Sequence, residues 1–139
     1  MSIKIFYDET KFRLNGGRKI VKLIKKIISD EKKIPGDVNF IITNDEHVRK
    51  INISFLKHDY NTDVITFDYN TGSVINGEVY LSLDTVKHNS IKYNVGLNDE
   101  ITRVIIHGVL HLVGYDDKTA EERRDMKKME DFWLDYLNM

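Results

Sequence analysis

Between Leu97 and Val113 nine of the seventeen residues are large and apolar. At about 100° per residue, Leu97, Ile101, Val104, Ile105, Ile106, Val109, Leu110, Leu112 and Val113 fill most of a helical circumference. A helix of that composition has to be surrounded by the rest of the protein, so the remaining elements are expected to wrap around it. Asn98-Asp99-Glu100 would open it, with acidic side chains where the positive end of the helix favours them. One narrow polar stripe runs along it: Glu100, Arg103 and His111 lie within about 40° of His107. Polar groups on so buried an element must be paired, face a cleft or bind a metal.

The stripe ends in His107-Gly-Val-Leu-His-Leu-Val-Gly-Tyr-Asp-Asp117. His107 and His111 are one turn apart, with Cβ atoms about 5–6 Å from each other, so two imidazoles can reach one ion. Gly114 can adopt the positive φ that ends a helix and lets the chain double back. Asp116 and Asp117 then compete to supply a third ligand, and the His-x-x-x-His-x-x-Gly-x-x-ligand spacing selects Asp117. Asp116 is left to an outer or junction role. With no cysteine in the chain, a zinc ion must be held by His, Asp or Glu. Three such ligands leave a fourth position open to water, whose pKa falls to about 7 on zinc, so hydrolysis is the expected chemistry.

The spacing partly matches the metzincin pattern, but Gly108 stands where those peptidases carry their glutamate base. Peptide hydrolysis through such a base is therefore disfavoured. Phosphodiester cleavage asks less of a side-chain base, because a metal also neutralises phosphate charge. Arg103, on the same stripe, is placed either to contact a phosphate or to pair with Glu100 or Asp99.

At 139 residues the chain has room for one core. Its order of elements predicts a single α+β domain over 1–139. Strands are expected at Ile3–Tyr7, Val38–Ile42, Asp63–Phe67 and Glu78–Ser82. A helix follows Asn15-Gly16-Gly17, with Ile20, Val21, Ile24, Ile27 and Ile28 at helical spacing, and Pro35-Gly36 stops it. Asn44 or Asp45 caps a second helix reaching about Phe55, and a third is expected over Leu83–Tyr93. Thr119-x-x-Glu122 is a capping box opening a terminal helix whose Met126, Met129, Phe132, Trp133, Tyr136 and Leu137 form an apolar stripe suited to core packing.

The net charge of −1 does not advertise a nucleic-acid partner. Lys19, Lys22, Lys25 and Lys26 read as the solvated face of the first helix. The first residues lack a signal-peptide core, and no stretch approaches the roughly 20 apolar residues of a membrane span. The expectation is a cytoplasmic protein that does not enter the membrane.

Three segments carry a family resemblance. His107–Asp117 resembles the signature of the YbeY endoribonuclease family, also called the rRNA maturation RNase family. Thr62-Asp-Val-Ile-Thr-Phe67 is similar to its Thr-Asp-Val-Leu-Ser-Phe segment, and Gly77-Glu-Val-Tyr-Leu-Ser82 to its Gly-Asp-Ile strand. The resemblance implies a small mixed sheet of four strands with about five helices around it. It further implies a metal-dependent endoribonuclease specific for single-stranded RNA, acting on the ribosomal small subunit in rRNA 3′-end maturation and ribosome quality control. On this reading one zinc ion per chain is held by His107, His111 and Asp117. Asp63 and Asp116 stand behind the ligands, and Arg103, Lys57 and His58 contact RNA.

The chain departs from the family pattern in three places. Asp117 replaces a third histidine, Phe55-Leu56 replaces a Tyr-Arg pair, and Glu78 replaces an aspartate. Two alternatives to the RNase reading are a peptidase-like zinc hydrolase and a non-catalytic ribosome-assembly factor with a structural zinc.

Overall fold

A computed structural model describes residues 2–56 and 62–139. Four strands, β1 (Ile3–Tyr7), β2 (Ile34–Thr43), β3 (Val64–Asp68) and β4 (Val74–Ser82), form one mixed sheet in the order β1-β2-β4-β3. The β1–β2 and β2–β4 pairs are parallel, whereas β3 and β4 are antiparallel. Helices α1 (Gly17–Asp30), α2 (Asp45–Ile51), α3 (Leu83–Lys92), α4 (Leu97–Leu112) and α5 (Ala120–Leu137) surround it, and a π-helical turn at Asn52–Leu56 extends α2. The chain is thus a single α+β domain of the expected kind. Among the described residues no helix is long and apolar enough to cross a membrane.

The apolar run is the central helix. Helix α4 packs on β3, β4, α1, α3 and α5. Ile101, Ile105, Ile106, Val109 and Leu110 are wholly inaccessible to solvent. They meet Val38, Phe40 and Ile42 of β2, Val79 and Leu81 of β4, and the buried stripe Ile20, Leu23, Ile24, Ile27, Ile28 of α1 in one core. The amphipathic spacing of α1 explains both its helicity and its position.

Two strands are longer than expected. β2 begins at Ile34, so Pro35 and Gly36 lie within it, and β4 begins at Val74. The extra length is made by pairing Ile34 with Val74 and Pro35 with Ile75, across a register shift between Pro35 and Val38. Such an irregularity accommodates a proline that has no N–H to give. Gly36 is required there, since a Cβ would fall 2.7 Å from the Ile75 carbonyl oxygen.

Helix α2 gives way to the π turn at Asn52, and α4 starts one residue early behind Gly96. The capping box of α5 is formed by Thr119 and Glu122. Its apolar stripe is only partly core: Met126 and Trp133 are buried, whereas Phe132 and Tyr136 are exposed. The buried face instead includes Glu130, one turn after Met126.

Candidate metal centre and cleft

The three expected ligands meet because the chain reverses sharply after α4. Gly114 has φ +115°. Its N–H donates to the His111 carbonyl (3.1 Å), and the Tyr115 N–H donates to the Leu110 carbonyl (2.9 Å). This paired C-terminal motif satisfies carbonyls that would otherwise be orphaned. The returning loop is anchored further. The Tyr115 hydroxyl donates to Glu31 at the end of α1 (2.8 Å), Arg123 donates to the carbonyls of Lys118 (2.8 Å) and Asp117 (3.4 Å), and Thr119 caps α5. Asp117 is therefore held from both sides.

The His107 and His111 Nε2 atoms lie 3.0 Å apart, and Asp117 Oδ2 is 3.3 Å from each. Four ligands set tetrahedrally about zinc at about 2.0–2.1 Å lie roughly 3.3–3.4 Å from one another. The protonation pattern also fits. His107 Nδ1 is 2.7 Å from Glu130 Oε2, and His111 Nδ1 is 3.0 Å from the Tyr115 carbonyl oxygen. Both partners accept only, so each Nδ1 carries a proton and each Nε2 is free to present a lone pair. Two nitrogen lone pairs and a carboxylate oxygen converging on one point repel each other unless a cation lies between them. His107, His111 and Asp117 could hold a metal ion.

Acidic groups surround this point. Burial pushes the Asp63 and Glu100 carboxyls up, with His107 and Arg103 respectively working against it. Burial works to lower the His107 imidazole, but its bond to Glu130 and the charges of Glu130, Asp117 and Asp63 outweigh that and hold it above its ordinary value. A proton and a metal ion therefore compete for the same nitrogen.

Glu130 has no counterpart in the sequence reading. It is nearly inaccessible, bonds His107, and receives Arg103 Nη1 on its other oxygen at 3.0 Å, while Arg103 Nη2 reaches Asp131 at 2.5 Å. Arg103 is thus ion-paired, but to α5 rather than to Glu100 or Asp99. A carboxylate on the face defined by Met126 and Trp133 was the available signal. Because outer partners of a ligand histidine contribute about 10–100-fold to metal affinity, Glu130→Gln is expected to weaken zinc binding within that range. Competitive titration against a chromophoric chelator, with a thermal melt as control, measures it; unchanged affinity would leave Glu130 a purely structural residue.

Gly108 faces away from the ligands. A Cβ there would lie 2.9 Å from Val79 Cγ1 and 3.4 Å from Cγ2, so the helix rests on β4 at this point. The position that carries a glutamate base in the peptidase pattern is filled here by the sheet.

The ligands open onto a cleft of about 760 Å³ whose walls include Asn52, Leu56, Asp63, Thr66 and Lys118. Asp63 is brought to the ligands, whereas Asp116 is exposed beside them. Lys118, absent from the sequence reading, adds a cationic side chain to the lining of this cleft. Leu56, where the family pattern has arginine, lines the cleft, and Lys57 and His58 lie outside the described residues. Asn70 donates to the Leu112 carbonyl (2.9 Å) and accepts from the Asn76 N–H (2.8 Å), tying the β3–β4 turn to the end of α4.

The family model described as endoribonuclease YbeY matches residues 5–138. Endoribonuclease YbeY of Chlorobium phaeobacteroides is 42% identical over 137 residues, covering 99% of this chain and 98% of its own. That of Christiangramia forsetii is 39% identical over 126 residues, covering 91% and 88%. The solution structure of TM1509 from Thermotoga maritima superposes with a TM-score of 0.66 at 25% identity, covering 98% of this chain and 89% of that one. With the family pattern matched from β1 to the end of α5, and relatives of this similarity aligned along nearly the whole chain, the protein belongs to the endoribonuclease YbeY family.

Proposed function

We propose that the protein is a zinc-dependent endoribonuclease that cuts single-stranded RNA in the cytoplasm, in small-subunit rRNA 3′-end maturation and ribosome quality control. The observation that carries the reading is the convergence of His107 Nε2, His111 Nε2 and Asp117 Oδ2 on a cleft of about 760 Å³. A bound zinc ion would supply Lewis acidity toward a phosphate oxygen and toward water.

The chain's own groups account for the rest. Glu130 and the Tyr115 carbonyl fix both imidazole tautomers. Asp117 brings a negative charge where the family pattern has a neutral histidine, which tempers the acidity of the ion. Asp63, pushed up by burial, can accept a proton at the cleft wall and return it. Lys118 offers a cation to the RNA backbone at the cleft, and Arg103 does so only from within its pairing to Glu130 and Asp131. Gly108 opposes a peptidase, and a three-donor set opposes a closed structural site, which ordinarily has four.

The zinc-loaded protein is expected to cleave a single-stranded oligoribonucleotide, to spare the same sequence in a duplex and an unstructured peptide, and to stop when a chelator is added. Peptide cleavage, or RNA cleavage indifferent to the chelator, would contradict the proposal.

A further inference from the structure

Across His107 and Asp117 from the cleft lies a second cavity of about 520 Å³, which shares those two residues as its wall. The Arg103–Glu130 ion pair also lines it, together with Tyr93, Val95, Glu100, Arg123, Met126 and Lys127. An endonuclease has to hold its chain on both sides of the bond it cuts, and His107 and Asp117 stand between these two spaces.

The chemistry of the second cavity suits one nucleotide. Tyr93, just past α3, is 59% exposed and offers an aromatic surface, over which the Lys92 ammonium stands 5.5 Å from the ring centroid, and Val95 and Met126 line the same cavity. Bases of every kind stack on such rings. Arg123 and Lys127 are one turn apart on α5. Arg123 is tied to the loop that carries Asp117, whereas Lys127 is exposed and has no hydrogen bond or ion pair among the described residues. A free ammonium in the lining that also holds an aromatic ring suits contact with a phosphate.

Glu100 is a further, independent sign. It is only 7% exposed and lines the cavity beside Arg103, whose charge acts on it, and its carboxyl makes no hydrogen bond or ion pair among the described residues. Its oxygens reach the cavity rather than the core, where base edges and ribose hydroxyls would supply donors and acceptors.

We infer that this cavity is a nucleoside subsite next to the bond to be cut, in which Tyr93 stacks the base, Glu100 meets its polar edge or ribose, and Lys127 takes the adjoining phosphate. The inference rests on the reading of the chain as a single-strand endoribonuclease. Binding separates the two. Anisotropy of short labelled single-stranded oligoribonucleotides is measured on the full chain in chelator, and cleavage on the zinc-loaded protein.

Tyr93→Ala is expected to weaken binding at least about fivefold. Lys127→Ala weakens it as well and lowers the slope of log affinity against log salt by about one. Glu100→Gln changes the ranking among homopolymers of different bases, and Lys22→Ala, on the exposed face of α1, changes nothing. Parent-like affinity in Tyr93→Ala and Lys127→Ala, or an unchanged ranking in Glu100→Gln, overturns the subsite. A parent that binds RNA with this dependence and fails to cut it overturns the endonuclease reading alone; one that cuts RNA when zinc-loaded but does not bind it in chelator overturns the subsite alone, and one that neither binds nor cuts overturns both.

Discussion

Replacing His111 with alanine is expected to abolish metal binding and RNA cleavage together while leaving the protein folded. His111 is one of three donors, and the described residues offer no other group of this kind in reach. With it gone, His107 and Asp117 remain, and two ligands do not make a zinc site of the hydrolytic type. The loss should exceed the roughly 10–100-fold that follows removal of an outer partner. The fold survives because His111 is half-buried at the cleft rim. Apart from its approach to His107 and Asp117, its one side-chain hydrogen bond, from Nδ1 to the Tyr115 carbonyl, contributes about 1 kcal/mol. Metal content after dialysis, cleavage rate and a thermal melt on the same sample separate the two effects. A variant that keeps its metal or its activity would show that the ligands lie elsewhere.

Gly108→Glu has the opposite signature: it destroys the fold rather than the site. The Cβ alone would sit 2.9 Å from a methyl of Val79, a wholly buried, β-branched side chain with little freedom to turn aside. Overpacking of this kind costs about 1–3 kcal/mol, and an ionised carboxylate forced between α4 and β4 adds several more. Against a typical total of about 5–15 kcal/mol, the variant should be insoluble or melt far below the parent. Gly108→Ala should be intermediate, since the clash is offset by about 1 kcal/mol of helix preference. Thermal unfolding of both variants reads this directly. A folded Gly108→Glu protein with peptidase activity would overturn the reading of α4 as a helix resting on the sheet at Gly108.

The convergence of His107, His111 and Asp117 was legible in the sequence because the spacing that brings them together is local. His107 and His111 share a face by helical period, Gly114 reverses the chain, and Thr119 restarts a helix two residues after Asp117. Elements whose extent depends on a distant partner were less so. Pro35-Gly36 reads as a breaker along the chain, yet pairing with Val74 and Ile75 carries β2 through it.

The same limit applies to Arg103 and Glu130. Spacing suggests partners for Arg103 within its own helix, at Glu100 and Asp99, but the packing of α4 on α5 presents Glu130 and Asp131 instead. Glu130 lies 23 residues from His107, and only its place on the buried face of α5 marks it. Phe132 and Tyr136 show the reverse case, apolar residues at core spacing that remain in solvent because α5 has neighbours on one side only.

The measurement that bears most directly on the account is zinc reconstitution of chelator-stripped protein, followed by cleavage of a single-stranded oligoribonucleotide, with the His111→Ala variant alongside. The account predicts that one equivalent of zinc restores cleavage in the parent and that no amount restores it in the variant. Full cleavage by the stripped parent, or equal rescue of the variant, would contradict it.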